Sequence, residues 1–246
     1  LNGNVGQGQA ALQNQLPSGV QALSTHVLPR RQACLGTEAF REVGLAQAGQ
    51  LGQVGNAPSI MLVPNNSPAK TVQEWIAYAR ANPGRLNYAS SGNGTIVQLT
   101  AELFKAQAGL FVVHIPYKGT ALAIPDLVSG KLDVMFDSLP SGMPHVRDGR
   151  LRALGVTTLK RSPLVPELPP IADVLPGYES NTWFGLFGPK GLPADIVTKL
   201  NGAVNQTVAD PDVKEKLARL GIEATGGSVT GFQGLLKTEY DKWRHI

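Results

Sequence analysis

One cysteine, Cys34, is all the thiol chemistry this chain carries. It cannot form an intrachain disulfide, and a single thiol assigns no redox compartment. No apolar run approaches ~18 residues, so no stretch has the length of a membrane-spanning helix. Charged residues make up 16%, the net charge is +4, and basic residues nowhere run together with aromatics between them. That mild charge favours anions but leaves no footprint for nucleic acid. Catalytic signatures are missing too. There is no G-x-S-x-G, so no serine sits on a nucleophile elbow. Gly92-Asn93-Gly94 lacks the third glycine of a dinucleotide fingerprint, and no G-K-[ST] marks a phosphate loop. His26, His114, His145 and His245 are scattered without metal-ligand spacing. The expectation is a protein with no metal, no cofactor and no catalytic turnover.

What is present suits a folded protein. Over 246 residues, 42% are apolar, enough for one large domain or two lobes, and Gly 28 with Pro 18 implies many turns. The most informative stretch is 86–104. Leu86 to Ser90 reads as a short strand, and a polar, glycine-punctuated turn follows. From Ile96 the apolar residues recur at helical spacing through Leu99 and Leu103, with Gly109 placed to end the helix. Ser90, Ser91, Gly92, Asn93, Gly94 and Thr95 therefore stand where a helix presents its first free N–H groups. Such a position either caps the helix or holds an anion.

Around it, strands and helices alternate. Ser59–Val63 is an apolar strand, and Thr71 with Glu74 makes a capping box before the helical face Val72, Trp75, Ile76 and Ala79. Strands are expected at 111–117, 132–138, 151–157 and 183–189, and helices at 120–128 and up to Val146. The alternation predicts a largely parallel, helix-covered sheet. Prolines 163, 166, 169, 170 and 176 mark an extended connection. Three C-terminal helices follow, the second with Asp210 as N-cap and Pro211 at its first position. Residues 1–57 have poor periodicity and no recognisable strand. His114 reads as a packed, hydrogen-bonded histidine, and Lys118 as a solvated turn lysine or, alternatively, an anion contact. Asp137 ends an apolar strand, where a carboxylate is costly to bury without donors; it either caps a neighbouring turn or lines a cleft. Trp183 and Phe184 are either hinge packing or platforms for a ligand.

Asn87-Tyr88-Ala89-Ser90-Ser91-Gly92-Asn93-Gly94-Thr95, followed by Glu102-Leu103-Phe104 and His114-Ile115-Pro116-Tyr117-Lys118-Gly119, closely resembles the solute-binding proteins of tripartite tricarboxylate transporters, the Bug family. The likeness continues through Leu132–Asp137, Gly149–Leu154 and Trp183–Leu186, covering roughly residues 58–246. It implies an α/β, two-lobed periplasmic binding protein of the type II-like kind, with a ligand cleft between lobes. Lobe one would combine residues 1–67 and 183–246, lobe two residues 68–182, hinged near Val63–Pro68 and Trp183–Pro189. The family's opening strand and Pro-Gly loop are not visible, so an incomplete first lobe is expected.

The resemblance further implies a small di- or tricarboxylate or aromatic acid, held by backbone amides, hydroxyls and water. Ser90, Ser91, Gly92, Asn93, Gly94, Thr95, Asp137, Trp183 and Phe184 are the residues expected to bind it. The implied partners are this ligand and membrane transporter subunits, with no nucleic acid and no direct membrane insertion. A monomer is expected. The implied location is the periplasm, and since the first residues lack a signal peptide's regions, a mature or trimmed chain is expected. Two other readings remain: a ligand sensor for a membrane receptor, and an enzyme on the same fold.

Overall fold

The computed structural model describes residues 49–244 and 246. Cys34, His26, His245 and residues 1–48 of the segment expected to lack periodicity lie outside the described residues.

Strand β1 (Gly49–Pro64) is the longest strand and joins two sets of partners. Its second half, Ser59–Pro64, lies between β4 (Val134–Ser138) and β5 (Leu151–Val156), antiparallel to both. Strand β2 (Asn87–Ser90) runs parallel to β4 on one side and to β3 (Val113–Pro116) on the other, which gives the row β3-β2-β4-β1-β5. The first half of β1 pairs antiparallel with β6 (Asn181–Gly188) and touches β7 (Glu223–Ala224). The change of partner falls between Pro58 and Ser59. Thr157 ties this crossover: its hydroxyl donates to the Ser59 carbonyl and accepts from the Ser59 N–H, while its carbonyl accepts from Ser180 N–H.

Three corrections follow. The sheet is mixed rather than largely parallel, because β1 opposes every strand it pairs with. Residues 49–57 are a strand, although their sequence shows no strand pattern. Phe111 and Val112 precede β3 instead of opening it, and Phe111 is 67% exposed.

Seven helices occur among the described residues. Helix α1 (Val72–Ala81) opens on Thr71, whose hydroxyl accepts from Glu74 N–H at 3.1 Å. The Glu74 carboxylate reaches back to Lys70 N–H, one residue before the cap. Helices α2 (Ile96–Ala108), α3 (Thr120–Val128) and α4 (Leu139–Arg147) each follow one of the strands β2, β3 and β4. Helices α5 (Ala194–Ala209), α6 (Pro211–Arg219) and α7 (Val229–Trp243) complete the chain. Asp210 caps α6 through the N–H groups of Asp212 and Val213.

The core follows from strand alternation in β1. Met61 and Val63 face Trp75, Tyr88, Phe104, Phe136 and Tyr178, while Ile60 and Leu62 face Ile124, Leu127, Met135 and Met143. Burial of each such side chain is worth about 1.5–3 kcal/mol. Phe104 anchors the first cluster, with its ring 5.5–5.8 Å from those of Trp75, Phe136 and Tyr178.

Candidate functional site

Because β2, β3 and β4 are parallel and each runs into a helix, the N-termini of α2, α3 and α4 gather at one edge of the sheet. The turns after β2 and β3 touch: Tyr117 N–H donates to Ser90 C=O at 3.0 Å. A β-carbon on Gly92 would lie 3.5 Å from the Tyr117 carbonyl. None of these three helices carries an acidic residue in its first turn, whereas α1, α5 and α6 begin with Glu74, Asp195 and Asp212. Two positive helix ends, those of α2 and α3, thus stand side by side without a carboxylate to neutralise them.

The turn leading into α2 is held by its own atoms. Thr95 caps the helix, accepting from Gln98 N–H and donating to Gly92 C=O at 2.8 Å. Gly92 and Gly94 adopt φ of 133° and 74°, conformations that glycine enters freely. The Gly92 N–H donates to Ser90 Oγ at 3.1 Å, and the Gly94 N–H to Gln98 Oε1 at 2.6 Å. Ser90 is fully buried, with its Oγ 2.6 Å from His114 Nε2. The Ser91 and Asn93 side chains and the N–H groups of Ile96 and Val97 have no hydrogen-bond partner among the described residues. They are the donors the turn leaves over.

The other expected site residues are placed differently. Asp137 is buried, and its Oδ1 accepts the N–H of the next residue, Ser138, at 2.8 Å; α4 starts behind Ser138 with no side-chain cap, and Oδ2 has no partner. Burial pushes its pKa up, against the Ser141 hydroxyl, the Ser138 N–H and nearby His145, which favour the charged form. Trp183 packs in a cluster with Phe187 and Phe232, and Phe184 is 40% exposed on β6. Lys118 is exposed in the turn after β3.

Two surface hollows lie away from the 90–95 turn. One of about 560 Å³ is lined by Glu102, Lys105, Phe111 and Ile246, and one of about 130 Å³ by Trp75, Tyr78 and Asp133. Neither has the juxtaposed helix ends, so chemistry rather than volume singles out the turn.

Sequence reasoning passed over Gln98, Tyr88 and Glu102. Gln98 had a legible signal, since Thr95-Ile96-Val97-Gln98 is a second capping box. Tyr88 stacks on His114 with ring centres 4.7 Å apart and donates its hydroxyl to Glu102, which also pairs with Lys105 at 2.8 Å. Burial, then the Glu102 carboxylate, pushes the Tyr88 phenol above its ordinary range, so it stays a donor. The Ser90–His114 contact has the reach of a nucleophile and its base. Yet Ser90 has no exposed surface, and the other imidazole nitrogen faces an amide rather than a carboxylate.

Among families of known proteins, the tripartite tricarboxylate transporter family receptor model matches residues 43–246. A UPF0065 protein in the tcbD-tcbE intergenic region of a Pseudomonas species is 42% identical over 191 residues, 77% of this chain and 57% of that protein. The chain therefore spans little more than half the length of that curated relative. A solved R. palustris protein with adipate is 34% identical with a TM-score of 0.68, covering 81% of this chain and 67% of that one. MatC from Rhodopseudomonas palustris with bound malate is 26% identical with a TM-score of 0.65, covering 86% and 75%.

Proposed function

The chain belongs to the tripartite tricarboxylate transporter receptor family, and from that premise we propose that it captures a small carboxylate in the periplasm and delivers it to a membrane transporter. The observation that carries this reading is the pair of unneutralised helix N-termini at the carboxyl ends of β2 and β3. Ligands of open α/β sheets sit at that edge. The donors offered are the Ser91 hydroxyl, the Asn93 amide and the N–H groups of Ile96 and Val97. Ser90, Gly92, Gly94 and Thr95 shape the turn that presents them. Phe184, exposed on β6, is the apolar side chain offered to the ligand, while Trp183, on the other face of that strand, packs against Phe187 and Phe232. That two relatives were solved with adipate and malate supports a dicarboxylate as the substrate class.

Two lobes would close over the acid. We place their boundary where β1 changes partners, at Pro58–Ser59, and where the chain enters β6, at Ser180–Asn181. This differs from the 67/68 and 182/183 boundaries expected from the sequence. A micromolar affinity requires about 8 kcal/mol, while one helix-end contact gives ~0.3–1. Several donors and the expulsion of water on closure must therefore combine. Calorimetric titration with adipate, malate, citrate and benzoate tests the reading, followed by amide NMR of the tightest binder. Shifts centred on residues 91–97 are expected. If a tight acid shifts amides elsewhere and leaves those unmoved, the site is wrong. If adipamide binds as well as adipate, the carboxylate reading is wrong.

A further inference from the structure

We infer that His114 is the positioning residue of this turn, gripping both of its ends at once through a single neutral tautomer. The functional part of this inference rests on the site proposed above, while its geometric part does not.

The direction of every hydrogen bond follows from one fixed donor. The Gly94 N–H can only donate, so the Gln98 oxygen faces it, at 2.6 Å. That turns the Gln98 NH₂ toward His114 Nδ1, 3.4 Å away, where it must donate. Nδ1 is then bare and the imidazole proton sits on Nε2, which donates to Ser90 Oγ at 2.6 Å. Ser90 Oγ also accepts the Gly92 N–H, and its own proton goes to the Gly92 carbonyl, both at 3.1 Å. Each of these five contacts then pairs a donor with an acceptor. The imidazole thus fixes the start of the turn through Ser90 and its far side through Gln98. The glycine N–H groups are folded inward, and the remaining donors are left to face outward.

A second proton on Nδ1 would set two donors against each other. Gln98 would have to rotate, and the Gly94 N–H would lose its acceptor. The groups facing the ring are the Tyr88 ring and Ser90 from β2, and Gln98, Glu102 and Lys105 from α2. Among the described residues β3 is an edge strand, with no strand beyond it. Burial of the imidazole lowers its pKa; the Glu102 carboxylate opposes this and the Lys105 ammonium adds to it. A lowered folded value means that His114 contributes fully above the ordinary imidazole range. The contribution is lost as pH falls through the folded value.

The test uses the isotopically labelled full chain without ligand. Two-bond proton–nitrogen spectra at pH 7 should show the His114 proton on Nε2. On acidification, the exchange protection of the Gly94 amide should drop about tenfold, the equivalent of one hydrogen bond, in step with His114 titration. Amides of β1 should keep their protection. His114→Gln retains a donor toward Ser90 and removes the acceptor for Gln98. It should lose protection at Gly94, keep it at Gly92 and abolish the acid step. Should that variant fail to fold, Gln98→Met removes the acceptor of the Gly94 N–H itself, so Gly94 protection should be low at every pH and no longer follow His114 titration; an acid step at Gly94 that persists in this variant overturns the inference. A proton on Nδ1 at pH 7, or Gly94 protection indifferent to His114 titration, overturns the inference. Adding adipate separates the two readings: amides 91–97 that ignore it and the other acids remove the proposed site, while the ligand-free result still decides the tautomer and its grip.

Discussion

Between Ser59 and Pro64, strand β1 reads Ser-Ile-Met-Leu-Val-Pro, and Ile60, Met61, Leu62 and Val63 are fully buried between two helical layers. Between Gly49 and Pro58 the same strand reads Gly-Gln-Leu-Gly-Gln-Val-Gly-Asn-Ala-Pro, with glycine at every third position. The first of these stretches binds its neighbours by side-chain volume, the second by the lack of it. A β-carbon on Gly55 would stand 2.6 Å from the Glu223 carbonyl and 2.7 Å from the Ile222 side chain, and one on Gly52 2.9 Å from Asn201. On β6, Gly185 leaves room for the Phe232 ring, whose edge occupies the place of a β-carbon. Glycine inside a strand marks such close approach. A single strand can thus be specified in two ways, and only one of them is visible as hydrophobicity.

The largest effects test that contrast directly. Leu62→Ala should cost about 2–5 kcal/mol, as large-to-small changes in a closed core do. Gly55→Ala should cost about 1–3 by overpacking, and its loss of amide protection should stay within β6, β7 and the first half of β1. Urea unfolding and hydrogen exchange measure both. If Gly55→Ala unfolds at the wild-type midpoint, the account of the glycine half fails.

The same contrast explains what the sequence made legible. Ile60 to Val63 and the helical faces of α1 and α2 announce themselves by period, so the α/β class and most elements could be read directly. The 49–58 half could not, because Gly52 and Gly55 have no side chain to show a period and owe their strand to β6. Antiparallel β1 was hidden as well. Its partners β4 and β5 lie far along the chain, and alternating strands and helices suggest parallel order unless one strand is inserted backwards. At the candidate site the turn was legible from its composition, while the inward aim of Ser90, Gly92 and Gly94 was not. That aim depends on His114 and Gln98, which reach the turn only through the pairing of β2 with β3 and the first turn of α2. Asp137 shows the limit from the other side: the sequence allowed it a turn cap or a place in a cleft, and the structure buries it against the N–H of the next residue.

Asp137 is also the charge embedded in the apolar half, opposite Ile60, and its effect should be smaller. Its folded pKa is raised by burial, so the folded chain binds this proton more tightly than the unfolded one. The stability it contributes is fully present below the unfolded carboxylate value and is lost as pH rises through the folded value. Asp137→Asn keeps an oxygen for the Ser138 N–H and removes the buried charge. At pH 7 it should raise stability by about 1–2 kcal/mol, and the difference from wild type should shrink toward pH 4. Thermal melts across pH measure this. A variant less stable than wild type at pH 7 would mean that the charge is compensated.

The smallest expected effects separate two capping boxes of the same design. Thr71 with Glu74 and Thr95 with Gln98 share the spacing, and in both the acceptor side chain reaches the N–H one residue before the cap. Thr71 closes a helix far from the candidate site, at the end of the sheet where β1 finishes. Thr95 closes the helix whose first N–H groups form the proposed ligand site, and it also binds Gly92 C=O at 2.8 Å. Both Thr→Ala changes remove one cap and should cost about 0.5–1 kcal/mol of stability. Only Thr95→Ala should weaken binding of a verified dicarboxylate, by about 3–10-fold, since one hydrogen bond shaping the turn is worth ~0.5–1.5 kcal/mol. Thr95→Ser should restore it. Lys118→Ala, which removes an exposed cation beside the turn, should change neither quantity. Calorimetry on the four variants, with melts alongside, gives the ordering. If Lys118→Ala abolishes binding while Thr95→Ala is silent, a salt bridge holds the acid and the helix ends do not.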